Sequence, residues 1–223
     1  MLSSTFNTQK EWIGMDRIAE DILTAAREPG VDLRGAHFRA AVDLSDASLG
    51  DVDLSGAVFE GPVLARRAQF TGTASLRGVT FRGEMDFSGV SFASDLRLDG
   101  ARFEGKAVFS RAEFHGIASF DGSSFEGPAS LDDMVCLANL SLAGTVFHRT
   151  VTLAGTECFG GLWADHTSFP PGPDLTGLEI YGRSWFRGSM AGGALVPPSL
   201  TDAVRRYGDL WMAEGGSRHE DRP

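Results

Sequence analysis

Side chains able to do acid–base chemistry gather in the later part of the chain. His166 follows Asp165, and Glu157, Glu179 and Tyr181 are expected on neighbouring outward or corner positions of the fold. A carboxylate, an imidazole and a phenol together can supply an acid and a base for proton transfer or dehydration near neutral pH. These five residues are the candidate catalytic set if the protein is an enzyme. The simpler interpretation of His166 is a tolerated replacement for a corner glycine.

The two cysteines are a second chemical candidate. Cys136 and Cys158 lie 22 residues apart, and together they suggest a redox or metal pair. No zinc-type spacing or second pair of ligands accompanies them. The favoured interpretation is two buried cysteines acting as small hydrophobic residues, and the sequence predicts neither a metal site nor a cofactor.

An internal repeat must position all these residues. From Leu54 onward a large apolar residue recurs at alternating steps of five and six, so every fourth one falls 22 positions on. The 22-residue period places the large residues in four columns if the chain closes a square at each repeat. The columns are Phe59, Phe81, Phe103, Phe125, Phe147 and Phe169; Leu76, Leu98, Phe120, Leu142, Ala164 and Phe186; Phe87, Phe109, Leu131, Leu153 and Leu175; and Phe70, Phe92, Phe114, Cys136, Cys158 and Ile180.

Small residues and glycines complete the repeat. A small residue usually stands two positions before each large one, and both point inward if the segment is extended. Glycine usually stands two positions after it, where a corner would need backbone angles that glycine adopts without steric cost. Strand, corner and strand in this order predict a solenoid.

Segments such as VDLSGAVFEG (52–61) and ARFEGKAVFSRAEF (101–114) resemble the pentapeptide-repeat family. The resemblance covers about residues 32–191 and implies an all-β fold, a right-handed quadrilateral β-helix with stacked Phe and Leu inside. The family's usual step is five residues, whereas this chain alternates five and six. Roughly seven coils of about 4.8 Å each would give a rod on the order of 35 Å long.

The two ends are expected to protect the open edges of the solenoid. Residues 8–27 have the apolar spacing of an amphipathic helix, and Ser199 followed by Leu200, Val204, Tyr207 and Trp211 predicts a second helix. The predicted organisation is an N-terminal helical cap (1–30), the β-helix (31–192), a C-terminal helical cap or dimer element (193–214) and a disordered tail (215–223). A homodimer is therefore one expectation.

Composition excludes several classes of function. The 223 residues carry a formal charge of −10, which makes direct binding to nucleic acid unfavourable because phosphate contacts need clustered Lys and Arg. No apolar run approaches the roughly 20 residues of a membrane span, and no secretory signal is visible, so a cytoplasmic protein is the default expectation. Basic protein surfaces remain suitable partners.

The negative charge is concentrated. Residues 61–112 have eight basic and five acidic side chains, whereas residues 113–182 have nine acidic ones against Arg149 alone. A charge run is usually only a solvated surface. The functional alternative is a rod that imitates DNA in width and sign, and the family resemblance then implies a quinolone-resistance or self-immunity protein that binds DNA gyrase. The acidic residues are Glu113, Asp121, Glu126, Asp132, Asp133, Glu157, Asp165, Asp174 and Glu179.

An exposed aromatic patch is predicted on the same late coils. Outward positions flanking one corner are polar or small in early coils and become Leu137, Phe159, Trp163, Tyr181 and Trp185 in late ones. Exposed apolar clusters of this size usually bind something. Three occupants are considered: the chain's own segment 190–211, a second copy of the chain, or a small apolar ligand.

Two functions follow. The favoured one is a non-catalytic binding protein, most concretely a DNA mimic that protects gyrase and so confers antibiotic resistance or self-immunity. The alternative is a small-molecule enzyme or ligand-binding protein of secondary metabolism that performs dehydration or cyclisation at the aromatic patch.

Overall fold

A computed structural model describes residues 33–196, 204–208 and 210–211 of the chain. Within these residues the regular structure consists of strands of two or three residues, which stack into four sheets, one on each side of a quadrilateral β-helix. The all-β solenoid is therefore confirmed. The predicted N-terminal helix and the C-terminal tail lie outside the described residues.

Each sheet collects the strands from one side of successive coils. Sheet A contains His37–Phe38, Val58–Phe59, Thr80–Phe81, Arg102–Phe103, Ser124–Phe125, Val146–Phe147, Ser168–Phe169, Met190–Ala191 and Ala194–Leu195. Sheet B contains Val42–Asp43, Val63–Leu64, Met85–Asp86, Ala107–Val108, Ala129–Ser130 and Val151–Thr152. Sheet C contains Ser48–Leu49, Gln69–Phe70, Ser91–Phe92, Glu113–Phe114, Val135–Cys136, Glu157–Cys158, Glu179–Ile180 and Arg205–Arg206. Sheet D contains Val52–Asp53, Ala74–Ser75, Leu96–Arg97, Ala118–Ser119, Asn139–Ser141, Gly161–Trp163, Arg183–Trp185 and Leu210–Trp211.

Strand register follows the repeat. Neighbouring strands are parallel, and in most coils they pair residues 22 apart, as in Phe81 with Phe103. Pairs in the first coil, such as His37 with Val58, are 21 apart, and those in the last coil, such as Glu179 with Arg205, are 26 apart. The last pair of sheet A differs in direction, because Met190–Ala191 and Ala194–Leu195 form an antiparallel hairpin. The phenylalanines of the first column stack face to face inside the rod, with ring centroids as close as 4.3 Å between Phe103 and Phe125. These stacked rings form the centre of a core that is continuous along the solenoid.

The alternating steps correspond to two kinds of corner. The five-residue steps contain a two-residue turn whose second residue has a positive φ, for example 61° at Gly78. The six-residue steps contain a corner such as Gly83, where an added Cβ would lie 2.5 Å from the carbonyl carbon of Gly61 in the coil below. Backbone angle explains glycine at the first kind of corner, as predicted, but at the second kind the reason is lack of space between stacked coils.

The predicted C-terminal helix is wrong for the residues that the structure describes. Arg205–Arg206 pairs with Glu179–Ile180, and Leu210–Trp211 pairs with the strand that ends at Trp185. The Tyr207 amide donates to the carbonyl of Ile180 over 2.9 Å. The spacing of Val204, Tyr207 and Trp211 fits a helical stripe, but the open edges of sheets C and D offer unpaired backbone groups that extended segments satisfy.

No helix among the described residues is long and apolar enough to cross a bilayer.

Candidate functional site

Two ladders of apolar side chains flank the corner between sheets C and D, all exposed except the half-buried Trp185. The sheet C ladder consists of Leu137, Phe159, Tyr181 and Tyr207, and the sheet D ladder consists of Trp163 and Trp185; together they are called the aromatic strip. The ring of Phe159 stacks on that of Tyr181 with centroids 4.7 Å apart, and Tyr181 stacks on Tyr207 at the same distance. Trp163 meets Trp185 edge to face at 5.5 Å.

The corner between the ladders carries little side-chain material. Gly160, Gly182 and Gly208 occupy it in successive coils, and a Cβ on Gly182 would fall 1.9 Å from the carbonyl oxygen of Gly160. Among the described residues, no ring contact joins the sheet C ladder to the tryptophans. The strip is therefore two aromatic ridges separated by bare backbone.

The chain's own C-terminal segment extends the aromatic strip. The described residues of that segment continue the coils, so Tyr207 adds one rung above Tyr181. Phe159, Trp163 and Tyr181 remain 42%, 40% and 37% exposed. The expectation that segment 190–211 folds over the patch is therefore wrong for its described residues.

Two residues of the candidate catalytic set, Glu179 and Tyr181, are in contact. The Tyr181 hydroxyl donates a hydrogen bond of 2.8 Å to Glu179 Oε2, and Arg205 Nη1 donates one of 2.7 Å to Glu179 Oε1. The bond to Glu179, with some desolvation, raises the pKa of Tyr181 to about 12. The same two bonds, led by that from Tyr181, lower the pKa of Glu179. This arrangement holds the phenol neutral at physiological pH and keeps the carboxylate charged.

Asp165 and His166 lie elsewhere. They form the turn that follows Gly161–Trp163, so the width of sheet D separates them from Glu157 and Glu179 on sheet C. His166 has a φ of 54°, as expected for a residue that replaces a corner glycine. The structure thus unites Glu179 with Tyr181 but does not bring the five candidate catalytic residues into one cluster.

Asp165 illustrates what changes when the surface becomes aromatic. In earlier coils a serine hydroxyl of the next coil donates to the matching aspartate, as Ser119 does to Asp99 and Ser141 to Asp121. Trp185 occupies the serine's place relative to Asp165. Among the described residues Asp165 Oδ1 is buried without a hydrogen-bond partner, while Oδ2 lies 3.9 Å from Arg187 Nη2.

Charge compensation differs along the rod. Arginines of the middle coils pair with carboxylates, mostly one coil away: Arg66 with Asp86 at 2.6 Å, Arg67 with Asp46 at 2.6 Å, Arg82 with Glu60 at 2.8 Å and Arg77 with Asp99 at 3.4 Å. In the later coils Asp121, Asp132 and Asp174 accept hydrogen bonds from neutral donors instead. Three carboxylates of the later coils do meet arginines: Glu126 pairs with Arg102 at 3.2 Å, Asp165 with Arg187 at 3.9 Å and Glu179 with Arg205 at 2.7 Å.

The cysteines are structural. Cys136 and Cys158 are stacked partners in sheet C, both fully buried and unbridged. Contact with Cys158, together with burial, raises the pKa of the Cys136 thiol well above its usual value. Buried thiols of this kind are inert. Among the described residues no group of three or more His, Cys, Asp or Glu side chains is placed to hold a metal ion.

Sequence reasoning missed one rung of the site. Arg205 and Tyr207 join Glu179 and Tyr181 although they lie 26 residues later, because the coil that contains them is longer than the rest. A strict period of 22 places other residues at these positions. The sequence signal that could have indicated this rung is that residue 207 is aromatic, like Tyr181.

The geometry defines a repeat protein, a quadrilateral β-helix with a specialised surface near its C-terminal end. Two models of pentapeptide repeats match the chain, one over residues 65–110 and 98–144 and the other over residues 23–61. The chain belongs to the pentapeptide-repeat family. A search among curated proteins finds no match to it.

Proposed function

We propose that this protein is a non-catalytic binding protein that occupies a basic, DNA-binding groove on another protein, with DNA gyrase as the specific partner. The family supports a non-catalytic repeat protein in general. The observation that carries the finer proposal is the excess of negative charge over residues 113–182, nine acidic side chains and one basic one, on a rod-shaped fold.

The distribution of ion pairs supports this location of the binding surface. Carboxylates in the middle coils are neutralised by nearby arginines, such as Arg82 beside Glu60. Glu113 and Asp133 in the later coils are exposed. A surface of one sign raises the rate of encounter with an oppositely charged groove, and salt weakens that attraction.

A gyrase supercoiling assay tests the proposal. The protein should inhibit supercoiling, or relieve poisoning by a quinolone, at low salt and lose potency as salt rises. The double variant Glu113→Gln/Glu157→Gln should lose about tenfold in potency, because two uncompensated charges leave the binding surface.

A matched double variant controls for total charge. Glu84→Gln/Glu104→Gln removes the same charge from residues 61–112, where basic side chains outnumber acidic ones, and should stay within about twofold of wild type. Absence of any effect of the wild-type protein on supercoiling or on drug poisoning would overturn the proposal. Equal losses in both double variants would show that only net charge matters, which contradicts a localised surface.

The aromatic strip favours a second candidate, a protein that binds a small apolar molecule or acts on it by acid–base chemistry. Its supporting observation is the contact between Tyr181 and Glu179 beside exposed rings. Retention of a small molecule by the purified protein, lost in Trp163→Ser, tests this candidate. The exposure of 37% to 47% at Leu137, Phe159, Trp163 and Tyr181 favours a macromolecular partner instead.

A further inference from the structure

We infer that the aromatic strip is the apolar centre of the interface with a basic protein, with the neighbouring carboxylates meeting that partner's Lys and Arg side chains. This inference deepens the proposed function and rests on it. Acidic mimicry alone would need no exposed rings, so the strip calls for its own explanation.

The fold itself does not require the rings. The positions of Phe159 and Tyr181 are filled in earlier coils by Thr71 and Ala93, and the position of Trp163 is filled by Ser141. Those earlier coils have the same strands and the same register. Large apolar side chains that stay exposed at the surface and that the core of the coils does not require mark a binding site.

Exposure indicates the size of the partner. Small-molecule sites are concave and bury most of the ligand surface. Leu137 is 47% exposed and Phe159 42%, and the ridges stand on either side of a corner of the rod. An open surface of this shape suits the apolar centre of a protein interface, surrounded by polar groups.

Charge complementarity identifies the chemistry of that protein. Glu157 and Glu179 precede Phe159 and Tyr181 by two residues, so carboxylate and ring project from the same face of sheet C. Residues 113–182 contain nine acidic side chains and one basic one, Arg149. Arginines from outside this range meet Glu126, Asp165 and Glu179, so the excess negative charge beside the rings is carried by Glu157. A partner with a basic surface around an apolar centre matches this pattern.

The orientation of the rings gives the rings and the carboxylates separate roles in the proposed interface. The stacked rings are nearly parallel, with interplanar angles of 3° for Phe159 and Tyr181 and 8° for Tyr181 and Tyr207. Stacking covers the ring faces and leaves the edges outward, and ring edges carry the positive part of the quadrupole. Cations of the partner are therefore directed to carboxylates such as Glu157, while its apolar side chains contact the ring edges; Glu179 already binds Tyr181 and Arg205.

The test is a titration of gyrase with the labelled full-length protein at two salt concentrations. The variants are Phe159→Thr/Tyr181→Ala and Trp163→Ser, which copy residues that earlier coils already carry at these positions. His115→Ala is the control, because it changes the same column below the strip and also copies Ala93. Thermal denaturation establishes that each variant is folded.

The expected result is a loss of affinity of at least about tenfold in both aromatic variants, with an unchanged salt dependence. His115→Ala should bind as wild type does. Wild-type affinity in the aromatic variants would overturn this inference and leave the proposed function standing. Failure of the wild-type protein to bind gyrase would overturn the proposed function and this inference with it.

Sedimentation velocity tests whether a second copy of the chain, rather than a basic protein, covers the aromatic strip. A wild-type dimer that becomes monomeric in Phe159→Thr/Tyr181→Ala would assign the strip to a second copy of the chain, which also overturns the inference. A sedimentation coefficient that is the same for wild type and variant supports it.

Discussion

The Tyr181 hydroxyl donates a 2.8 Å hydrogen bond to Glu179, two residues earlier on the same outward face of sheet C. Arg205, from the next coil, donates to the other oxygen of the same carboxylate. The carboxylate thus ties two coils together beside the stacked rings. Because deprotonation of Tyr181 would break this hydrogen bond and would also place two negative charges side by side, the contact raises the pKa of Tyr181 to about 12.

A spectrophotometric titration checks this value. The chain has two tyrosines, so Tyr207→Phe leaves Tyr181 as the single phenol and keeps the ring stack. Phenolate absorbance should then rise with a midpoint near 12. Adding Glu179→Gln should move the midpoint down toward the ordinary value of about 10, and an unchanged midpoint would contradict the role of Glu179.

The same shift predicts a loss of stability at high pH. The folded protein holds the Tyr181 proton more tightly than the unfolded chain does, so this contribution is complete below about pH 10 and is lost as the pH rises to about 12. Denaturation midpoints measured across that range should fall more steeply in wild type than in Tyr181→Phe.

The lowered pKa of Asp99 predicts a loss of stability at low pH. Burial raises the pKa of Asp99, but hydrogen bonds from Arg97 and Ser119 outweigh burial and lower it below the ordinary value of 3.8. The stabilisation is present above that value and is lost as the pH falls through the lower, folded pKa. Asp99→Asn should cost about 1 kcal/mol at pH 7 and flatten the decline of unfolding free energy in acid.

Chemical denaturation between pH 7 and pH 2 measures this effect. Ser119→Ala removes one donor to Asp99 and should flatten the decline by a smaller amount. The two changes should be less than additive when combined, because they act on one hydrogen bond. Full additivity would show that Ser119 does not act through Asp99.

The two kinds of corner predict different costs for alanine. At Gly182 an added Cβ would lie 1.9 Å from backbone of the coil below, so Gly182→Ala must push two coils apart. At Gly100 the φ is 67° and nothing lies within 4 Å of the Cβ position, so Gly100→Ala meets only backbone strain. We expect about 3 kcal/mol or more at Gly182 and about 1 kcal/mol at Gly100.

Asparagine provides the control for these corners. It tolerates the left-handed conformation better than alanine does, so Gly100→Asn should be milder than Gly100→Ala, whereas Gly182→Asn should be as harmful as Gly182→Ala. Equilibrium denaturation of the four variants measures the costs. Equal costs at both glycines would contradict the distinction between strain and space.

Much of the fold could be predicted because the repeat makes each coil an independent copy of the same pattern. Phe81 and Phe103 reveal the column, the period and the parallel register by spacing alone. The reason for each glycine could not be predicted, because Gly78 and Gly83 both follow a large residue by two positions and the length of the step does not reveal whether backbone angle or crowding selects glycine. The spacing of Val204, Tyr207 and Trp211 predicts a helix. That prediction is wrong because spacing carries no information about the open strand edge above Ile180, with which this segment pairs.

The candidate site was partly predictable for the same reason. Column counting places Phe159, Trp163, Tyr181 and Trp185 on adjacent outward positions, and the ring contacts agree. The contact between Arg205 and Glu179 was not accessible, because it depends on the length of an irregular coil. Hydrogen-bond partners depend on rotamers, which column counting does not give.

Burial of the cysteines leads to the last prediction. Cys136 and Cys158 have no solvent exposure, which keeps the reagent from both thiols. Contact with Cys158, together with burial, also raises the pKa of the Cys136 thiol, so that it forms little thiolate, the reactive species. Ellman's reagent should therefore modify neither thiol in the native protein and both after denaturation. Leu137→Cys supplies the positive control, because the side chain next to Cys136 is 47% exposed and a thiol there should react in the native state. Reaction of the native wild-type protein as fast as that of Leu137→Cys would mean that the coils open around Cys136, which is incompatible with a continuous core through the late coils.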